Sequence, residues 1–184
     1  AGAMSWGFPG VYDNYYGYYS EIYAQNVAPA AQDITLKVFA PGNATPVYEN
    51  TKTAVPAYSS VNWSLKDLTQ LAKNVSYSAT VTAAGNLVAI GNTYGSGATA
   101  AQLYSYNGFP SGANTFYVPA LYKAYYGWNA AMSIQNVSAA AAAVTVEYSG
   151  GFSKDYTIQP NSAVAIYIPA EASLPNGLMS ATVT

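Results

Sequence analysis

Eight carboxylates (Asp13, Glu21, Asp33, Glu49, Asp67, Glu147, Asp155 and Glu171), six lysines and a large stock of hydroxyls and amides are all the chemistry-bearing side chains of this chain; it has no His, Cys or Arg. Imidazole and thiolate metal sites, Cys and Ser-His nucleophiles and disulfides are therefore excluded. A carboxylate pair is enough for glycoside hydrolysis, but no two of these acids fall on adjacent inward positions, and Glu147 points outward by strand alternation. Asp13-Asn14 and Glu21 offer oxygens to a calcium ion without any EF-hand or nonapeptide pattern around them. Gly95-Ser96-Gly97 lacks the lysine and helix of a phosphate loop. Catalytic, cofactor-binding and metal residues are accordingly expected to be none.

The other reactive signal is four N-x-S/T sequons, at Asn43, Asn62, Asn74 and Asn136. Each is a candidate for a covalent glycan, which would hydrate a surface otherwise short of charge. Only 8% of residues are charged and the net charge is −2, so there is no basic stripe for nucleic acid. No apolar run approaches the roughly 18 residues of a membrane helix, and membrane insertion is not expected. With 51% hydrophobic residues, 19 Tyr, 15 Gly and 10 Pro, the chain is ordered.

What positions these groups is a repeat. Tyr15-Tyr16-Gly17-Tyr18 leads to Gln25-Asn26-Val27, and 110 residues later Tyr125-Tyr126-Gly127-Trp128 leads to Gln135-Asn136-Val137. Ile34 to Val38 matches Val144 to Tyr148, Val61 to Leu65 matches Val164 to Ile168, and Ser78-Ala79-Thr80-Val81-Thr82 recurs as Ser180-Ala181-Thr182-Val183-Thr184. The order of the matches points to a duplication. Within them apolar residues alternate with polar ones, as half-buried strands require, and Pro-Gly, Gly-Gly and Pro-Asn pairs mark turns. Leu65, Leu68, Leu71 and Ala72 alone have helical spacing, which predicts one or two turns of helix.

The predicted fold is all-β: two tandem immunoglobulin-like β-sandwich domains, the second lacking its final strand. Residues 1–14 form an N-terminal segment, a candidate donor strand; 15–97 the first sandwich; 98–124 a linker or edge strand; and 125–184 the second, incomplete sandwich. After its Ser78–Thr82 strand the first copy continues through Leu87 to Asn92, a strand with no counterpart after Thr184. The second sandwich is thus expected to expose an unpaired edge and an apolar groove. Gly7-Phe8-Pro9 repeats Gly108-Phe109-Pro110, so the head resembles the continuation that the tail lacks. Either the head of one subunit completes the tail of the next, or the chain belongs to a longer repeat array.

The Tyr-Tyr-Gly-Trp-Asn run, Gln135-Asn136-Val137-Ser138, the Val-Thr-Val strand closed by Ser149-Gly150-Gly151, Pro160-Asn161-Ser162 and Ser180-Ala181-Thr182-Val183 resemble tandem immunoglobulin-like repeats of prokaryotic cell-surface and extracellular filament proteins. The resemblance implies a structural or adhesive role outside the cell. The expected function is head-to-tail assembly into a filament, sheath or surface layer by β-strand complementation, with the chain itself as partner and no enzymatic activity. The alternative is an adhesin or carbohydrate-binding module that stacks exposed aromatics on sugar rings. Candidate subunit contacts are Ala3, Met4, Trp6, Phe8, Tyr15, Tyr16, Tyr18, Tyr125, Tyr126, Trp128 and Val183, since tyrosine and tryptophan combine large apolar area with a polar tip.

Overall fold

In the computed structural model, which describes residues 2–97 and 102–184, the chain is all-β. Seven strands make the first sheet: β1 (Ala3–Tyr15), β2 (Tyr18–Asn26), β3 (Gln32–Phe39), β4 (Tyr48–Val55), β5 (Ser60–Ser64), β6 (Ser76–Gly95) and β7 (Leu103–Asn107). The 20-residue β6 organises them. Its first part, from Ser76 to Ala83, lies between β1 and β3, and its second, from Leu87 to Gly95, lies between β2 and β7. Two runs, β4-β3-β6-β1 and β5-β2-β6-β7, therefore share one strand, and the sheet curls nearly into a barrel. The curl falls at Gly85-Asn86, where the Gly85 N–H donates to Gln32 Oε1 and Gln32 Nε2 donates to the Asn86 carbonyl.

Six more strands follow: β8 (Phe116–Lys123), β9 (Ala131–Gln135), β10 (Ala142–Tyr148), β11 (Ser153–Ile158), β12 (Ala163–Tyr167) and β13 (Gly177–Val183). They form a four-stranded sheet β11-β10-β13-β8 and a separate pair β12-β9. The order repeats that of the first half strand for strand: β4-β3-β6-β1 becomes β11-β10-β13-β8, and β5-β2 becomes β12-β9. A 3₁₀ turn follows β5 at Leu65–Asp67, and another follows β12 at Ile168–Ala170.

Alternation sets which side of each strand is buried. Ile34, Leu36 and Val38 are fully enclosed while Thr35 and Lys37 are half-exposed. Val146, Tyr148, Ile166 and Ile168 do the same in the second half. Each such aliphatic side chain contributes about 1.5–3 kcal/mol, and the two sets form separate cores, one around Phe8, Ile22, Leu36 and Val81, the other around Leu121, Val146, Ile168 and Met179. Polar contacts join the halves: Gln135 Nε2 donates to the carbonyls of Ala79 and Asn161, Ser78 Oγ to the Asn161 carbonyl, and the Gly42 N–H to Ser162 Oγ.

Three expectations meet the structure here. Of residues 1–14, the candidate donor strand, those from Ala3 on belong to β1 of the chain's own first sheet, paired from Ala3 to Tyr12 with β6. They stay there because Phe8 and Val11 are core residues and Trp6 Nε1 donates to the Leu87 carbonyl at 2.8 Å. The segment 98–124, expected as a linker or edge strand, carries among its described residues two edge strands, β7 of the first sheet and β8 of the second; its residues 98–101 lie outside the described residues. The helical spacing at Leu65 to Ala72 yields only the 3₁₀ turn of Leu65–Asp67, with Leu65 and Leu71 capping the core.

Candidate functional site

The difference between the halves creates the site. Strand β2 is hydrogen-bonded on both sides, to β5 and to β6, whereas among the described residues β9 is bonded only to β12. Asn136 N–H donates to the Ser162 carbonyl and Ile168 N–H to the Ala130 carbonyl. In an antiparallel pair successive residues alternate in direction, so the backbone groups of Met132 and Ile134 face β12 and those of Ala131, Ser133 and Gln135 face away from it. That second edge borders a groove of about 230 Å³ lined mainly by Phe116, Val118, Met132, Ile134, Val137 and Val183, with Pro9 and Phe109 of the first half along one wall. A further cavity of about 540 Å³ continues past Phe116 and Ile134 toward Ala142 and Val144.

The same positions in the first half are closed. Trp6 is 8% exposed under Leu87, and its counterpart Phe116 is 43% exposed. Phe8 is fully buried against Tyr106 of β7, ring centroids 5.9 Å apart, while its counterpart Val118 is half-buried in the groove. Ile22 and Ala24 are sealed by β6; Met132 and Ile134 are half-buried.

The tyrosine-rich turn is built twice with the same geometry. Tyr12 stacks on Tyr15 at 5.1 Å and Tyr15 meets Tyr16 edge-on at 4.9 Å; Tyr122 stacks on Tyr125 at 5.7 Å and Tyr125 meets Tyr126 edge-on at 4.7 Å. Both turns need left-handed backbone, with φ of 51° and 88° at Tyr16 and Gly17 and of 49° and 83° at Tyr126 and Gly127. The glycine takes that conformation without the steric cost a side chain carries. Their last residues differ in surroundings. Tyr18 has Tyr104 of β7 at 6.4 Å and donates its hydroxyl to Gln102 Oε1; Trp128, in the same place, is 72% exposed.

The predicted contact residues thus divide. Met4, Tyr16, Tyr126 and Trp128 are exposed, and Ala3, Tyr15, Tyr18 and Tyr125 are half-buried. Trp6 and Phe8 are core residues of the first half, so as free contact points they are corrected, whereas Val183, at 5% exposure, lines the groove. The groove residues Phe116, Met132, Ile134 and Val137 were not singled out by sequence. The spacing that relates Tyr15 to Tyr125 reaches all four, by carrying Trp6 to Phe116, Ile22 to Met132, Ala24 to Ile134 and Val27 to Val137.

Of the sequon asparagines, Asn43, Asn62 and Asn74 are exposed. Asn136 is 7% exposed, and its Nδ2 donates to the carbonyls of Ala140 and Ile158 at 2.7 and 2.9 Å, which corrects it as a glycan site. The Asp13-Asn14-Glu21 calcium idea also fails on geometry. Asp13 is fully buried and both its oxygens accept from Lys73 Nζ at 2.7 and 2.6 Å, while Glu21 accepts from the Tyr23 hydroxyl. Among the described residues no three carboxylates converge. Lys154 donates to Glu171 at 2.7 Å, which holds its ammonium above the usual lysine value. Burial pushes the hydroxyls of Tyr12, Tyr106 and Tyr148 well above the ordinary tyrosine value. No helix among the described residues is long and apolar enough to cross a membrane.

Known structures bear on the fold. A crystal structure of the Thermotoga maritima protein 1070 matches with a TM-score of 0.51 at 18% identity, over 59% of this chain and 94% of that one. The Anabaena sensory rhodopsin transducer matches with a TM-score of 0.38 at 15% identity, over 48% of this chain and 94% of its own. The first likeness supports an all-β fold of β-sandwich type. No family model matches the chain, and no curated protein matches it.

Proposed function

We propose that the chain consists of two immunoglobulin-like sandwich units of common ancestry, the second incomplete, and that it is an extracellular structural subunit polymerising head to tail into a filament, sheath or surface layer. The observation that carries this reading is the unpaired side of β9 beside an apolar groove, at a position that β6 fills in the first half. A free edge with apolar flanks is a template for strand addition. Heterologous contacts between a head and a tail do not close unless the rotation happens to, and so generate fibres. The donor is not residues 1–14, which hold the first core together. The exposed Asn43, Asn62 and Asn74, together with the low charge, favour a glycosylated surface. The role is structural, not catalytic, and the partner is another copy.

Negative-stain electron microscopy of the purified chain tests this directly. Polymers are expected, and Phe116→Asp, which places a charge in the groove, should abolish them while circular dichroism stays that of a β protein. Strictly monomeric particles at high concentration, or polymers untouched by Phe116→Asp, would overturn the reading.

One observation favours a second reading, the pair Tyr126 and Trp128 at 86% and 72% exposure on a rigid turn. Such rings suit stacking on sugars. Retention of monomers on a polysaccharide column, lost in Trp128→Ala, would support an adhesin; Trp6, buried, would take no part.

A further inference from the structure

We infer that the contact joining the two halves inside the chain is used a second time between chains: the outer face of β8 and β13 in one copy receives the β2–β5 end of the next. The inference rests on the self-assembly proposed above and adds the surfaces that meet; it makes no use of the groove.

Inside the chain this contact has two sides. On the second half, Gln135 at the end of β9 donates Nε2 to the Asn161 carbonyl at 3.0 Å, and Asn161 has left-handed backbone with φ of 61°. On the first half, β1 bulges at Pro9-Gly10, between the Phe8–Ala79 and Val11–Tyr77 pairs. There the Ala79 carbonyl accepts from Gln135 Nε2 at 3.1 Å, and Ser78 Oγ donates to the Asn161 carbonyl at 2.8 Å.

Duplication builds both sides again. Gln25 Nε2 donates to the Tyr58 carbonyl at 3.0 Å, and Tyr58 has φ of 62°. Strand β8 bulges at Pro119-Ala120, between the Val118–Ala181 and Leu121–Met179 pairs, with Ser180 beside the bulge on β13. These surfaces are open: Ser180 is exposed, Tyr58 is 65% exposed and Tyr117 79%. Carried onto them, the internal contact sets Gln25 Nε2 on the Ala181 carbonyl and Ser180 Oγ on the Tyr58 carbonyl of the next copy. The partner is a second copy because both surfaces belong to this chain and their pairing is one it already makes with itself. The two surfaces differ, so the contact is heterologous and repeats along a line.

The second use differs from the first in size. Gly7 lies under Gln135, where a Cβ would stand 2.8 Å from Oε1. Its counterpart is Tyr117, so the end of the Gln25 amide must give way there. Tyr23 and Tyr58 likewise stand where the second half has Ser133 and Asn161. The contact between copies is therefore wider and aromatic, with the residue favoured between subunits. Asn62 lies opposite Tyr23 on this face, so a glycan at Asn62 and this contact exclude one another.

Sedimentation velocity on the full chain, made without glycan, tests the pairing. Association that grows with concentration is expected. Gln25→Glu, which turns a carboxylate toward the carbonyls, and Ser180→Glu, which crowds the bulge, should each weaken it at least tenfold while circular dichroism stays that of the parent. Tyr58→Asp, a type that left-handed backbone tolerates, repeats the first test should Gln25→Glu fold poorly. Each variant keeps one good surface, so an equal mixture of Gln25→Glu and Ser180→Glu should give a dimer of one of each and nothing longer. A parent that stays monomeric overturns both this inference and the assembly reading. Polymers that survive both variants but are lost in Phe116→Asp overturn this contact and leave the groove as the junction. Polymers lost in both variants and untouched by Phe116→Asp support it and overturn the groove. Failure of the mixed variants to dimerise overturns the heterologous pairing.

Discussion

Asn26 and Asn136, 110 residues apart, hold the same loop in the same way. Asn26 Nδ2 donates to the carbonyls of Ala30 and Val55 while its Oδ1 accepts from the Ala28 N–H; Asn136 Nδ2 donates to Ala140 and Ile158 while its Oδ1 accepts from the Ser138 N–H. Both are buried, at 0% and 7% exposure. The asparagine is present for the loop, and Ser138 makes a sequon of it only because the second copy has serine where the first has Ala28. Native material should show no glycan at Asn136 by mass spectrometry of tryptic peptides. Asn136→Ala should cost roughly 1–3 kcal/mol for each carbonyl left unsatisfied, read from a denaturant midpoint; a change below about 0.5 kcal/mol would contradict this account.

The close approach of β7 to the core predicts a second effect. A Cβ on Gly108 would stand 2.7 Å from Phe8 Cζ, and the ring is enclosed and has nowhere to move. Gly108→Ala should therefore destabilise by about 1–3 kcal/mol, as overpacking does. The thermal midpoint measures it, and Phe8→Leu in the same background should recover part of the loss.

Two ion pairs should differ in worth. Lys73 meets a fully buried Asp13, whereas Lys37 meets Glu49 with both side chains substantially exposed. Lys37→Ala should change stability by less than about 1 kcal/mol. Lys73→Ala leaves a buried carboxylate without its cation, which in a fully buried pair costs about 3–5 kcal/mol; because Lys73 itself is half in solvent, about 1–3 kcal/mol is expected. Equal effects of the two substitutions would show that the burial of Asp13 carries no energetic weight.

Alkaline pH should loosen the fold through its tyrosines. Burial raises the folded-state values of Tyr12, Tyr106 and Tyr148 above the ordinary one. The neutral hydroxyl is thus favoured in the native state, and this contribution is complete below about pH 10, the unfolded value, and is lost as pH rises toward the folded values. Among the described residues neither the Tyr148 nor the Tyr156 hydroxyl makes a hydrogen bond of normal geometry. Tyr148→Phe should accordingly raise stability at pH 8 by up to about 1 kcal/mol and flatten the decline above pH 10. Urea midpoints between pH 8 and 11 test both signs; a steeper decline in the variant would refute the assignment.

Much of the architecture could be read from residues alone, and the reason is duplication. Matching Ile34–Val38 to Val144–Tyr148 and Ser78–Thr82 to Ser180–Thr184 places β3, β10, β13 and the first part of β6 correctly, because alternation is a local signal. Among the described residues β9 pairs only with β12, where β2 has both β5 and β6. The role of residues 3–10 did not follow. Similarity of Gly7-Phe8-Pro9 to Gly108-Phe109-Pro110 suggested interchange, but the two tripeptides are neighbours: Gly7 and Phe109 exchange backbone hydrogen bonds at 2.8 and 2.9 Å. Which apolar segments face one another is decided by long-range pairing, and no window of sequence contains it. The burial of Asp13 escaped notice for the same reason, since its partner Lys73 lies sixty residues away on the approach to β6.

The reliance of the first half on β6 has a consequence during synthesis. Strand β1 is made well before β6, yet Phe8 pairs with Ala79 and Trp6 with Val81. At the usual pace of translation, about 5–20 residues per second, those rings wait between about 4 and 14 s for their neighbour. Throughout that interval a nascent chain displays Trp6, Phe8 and Val11 to whatever holdase or exit-channel surface is at hand, and β3 with β4 must form a lone hairpin. Slowing elongation before residue 76 should therefore lengthen the exposure and raise aggregation, while the same pause placed after residue 95 should be harmless.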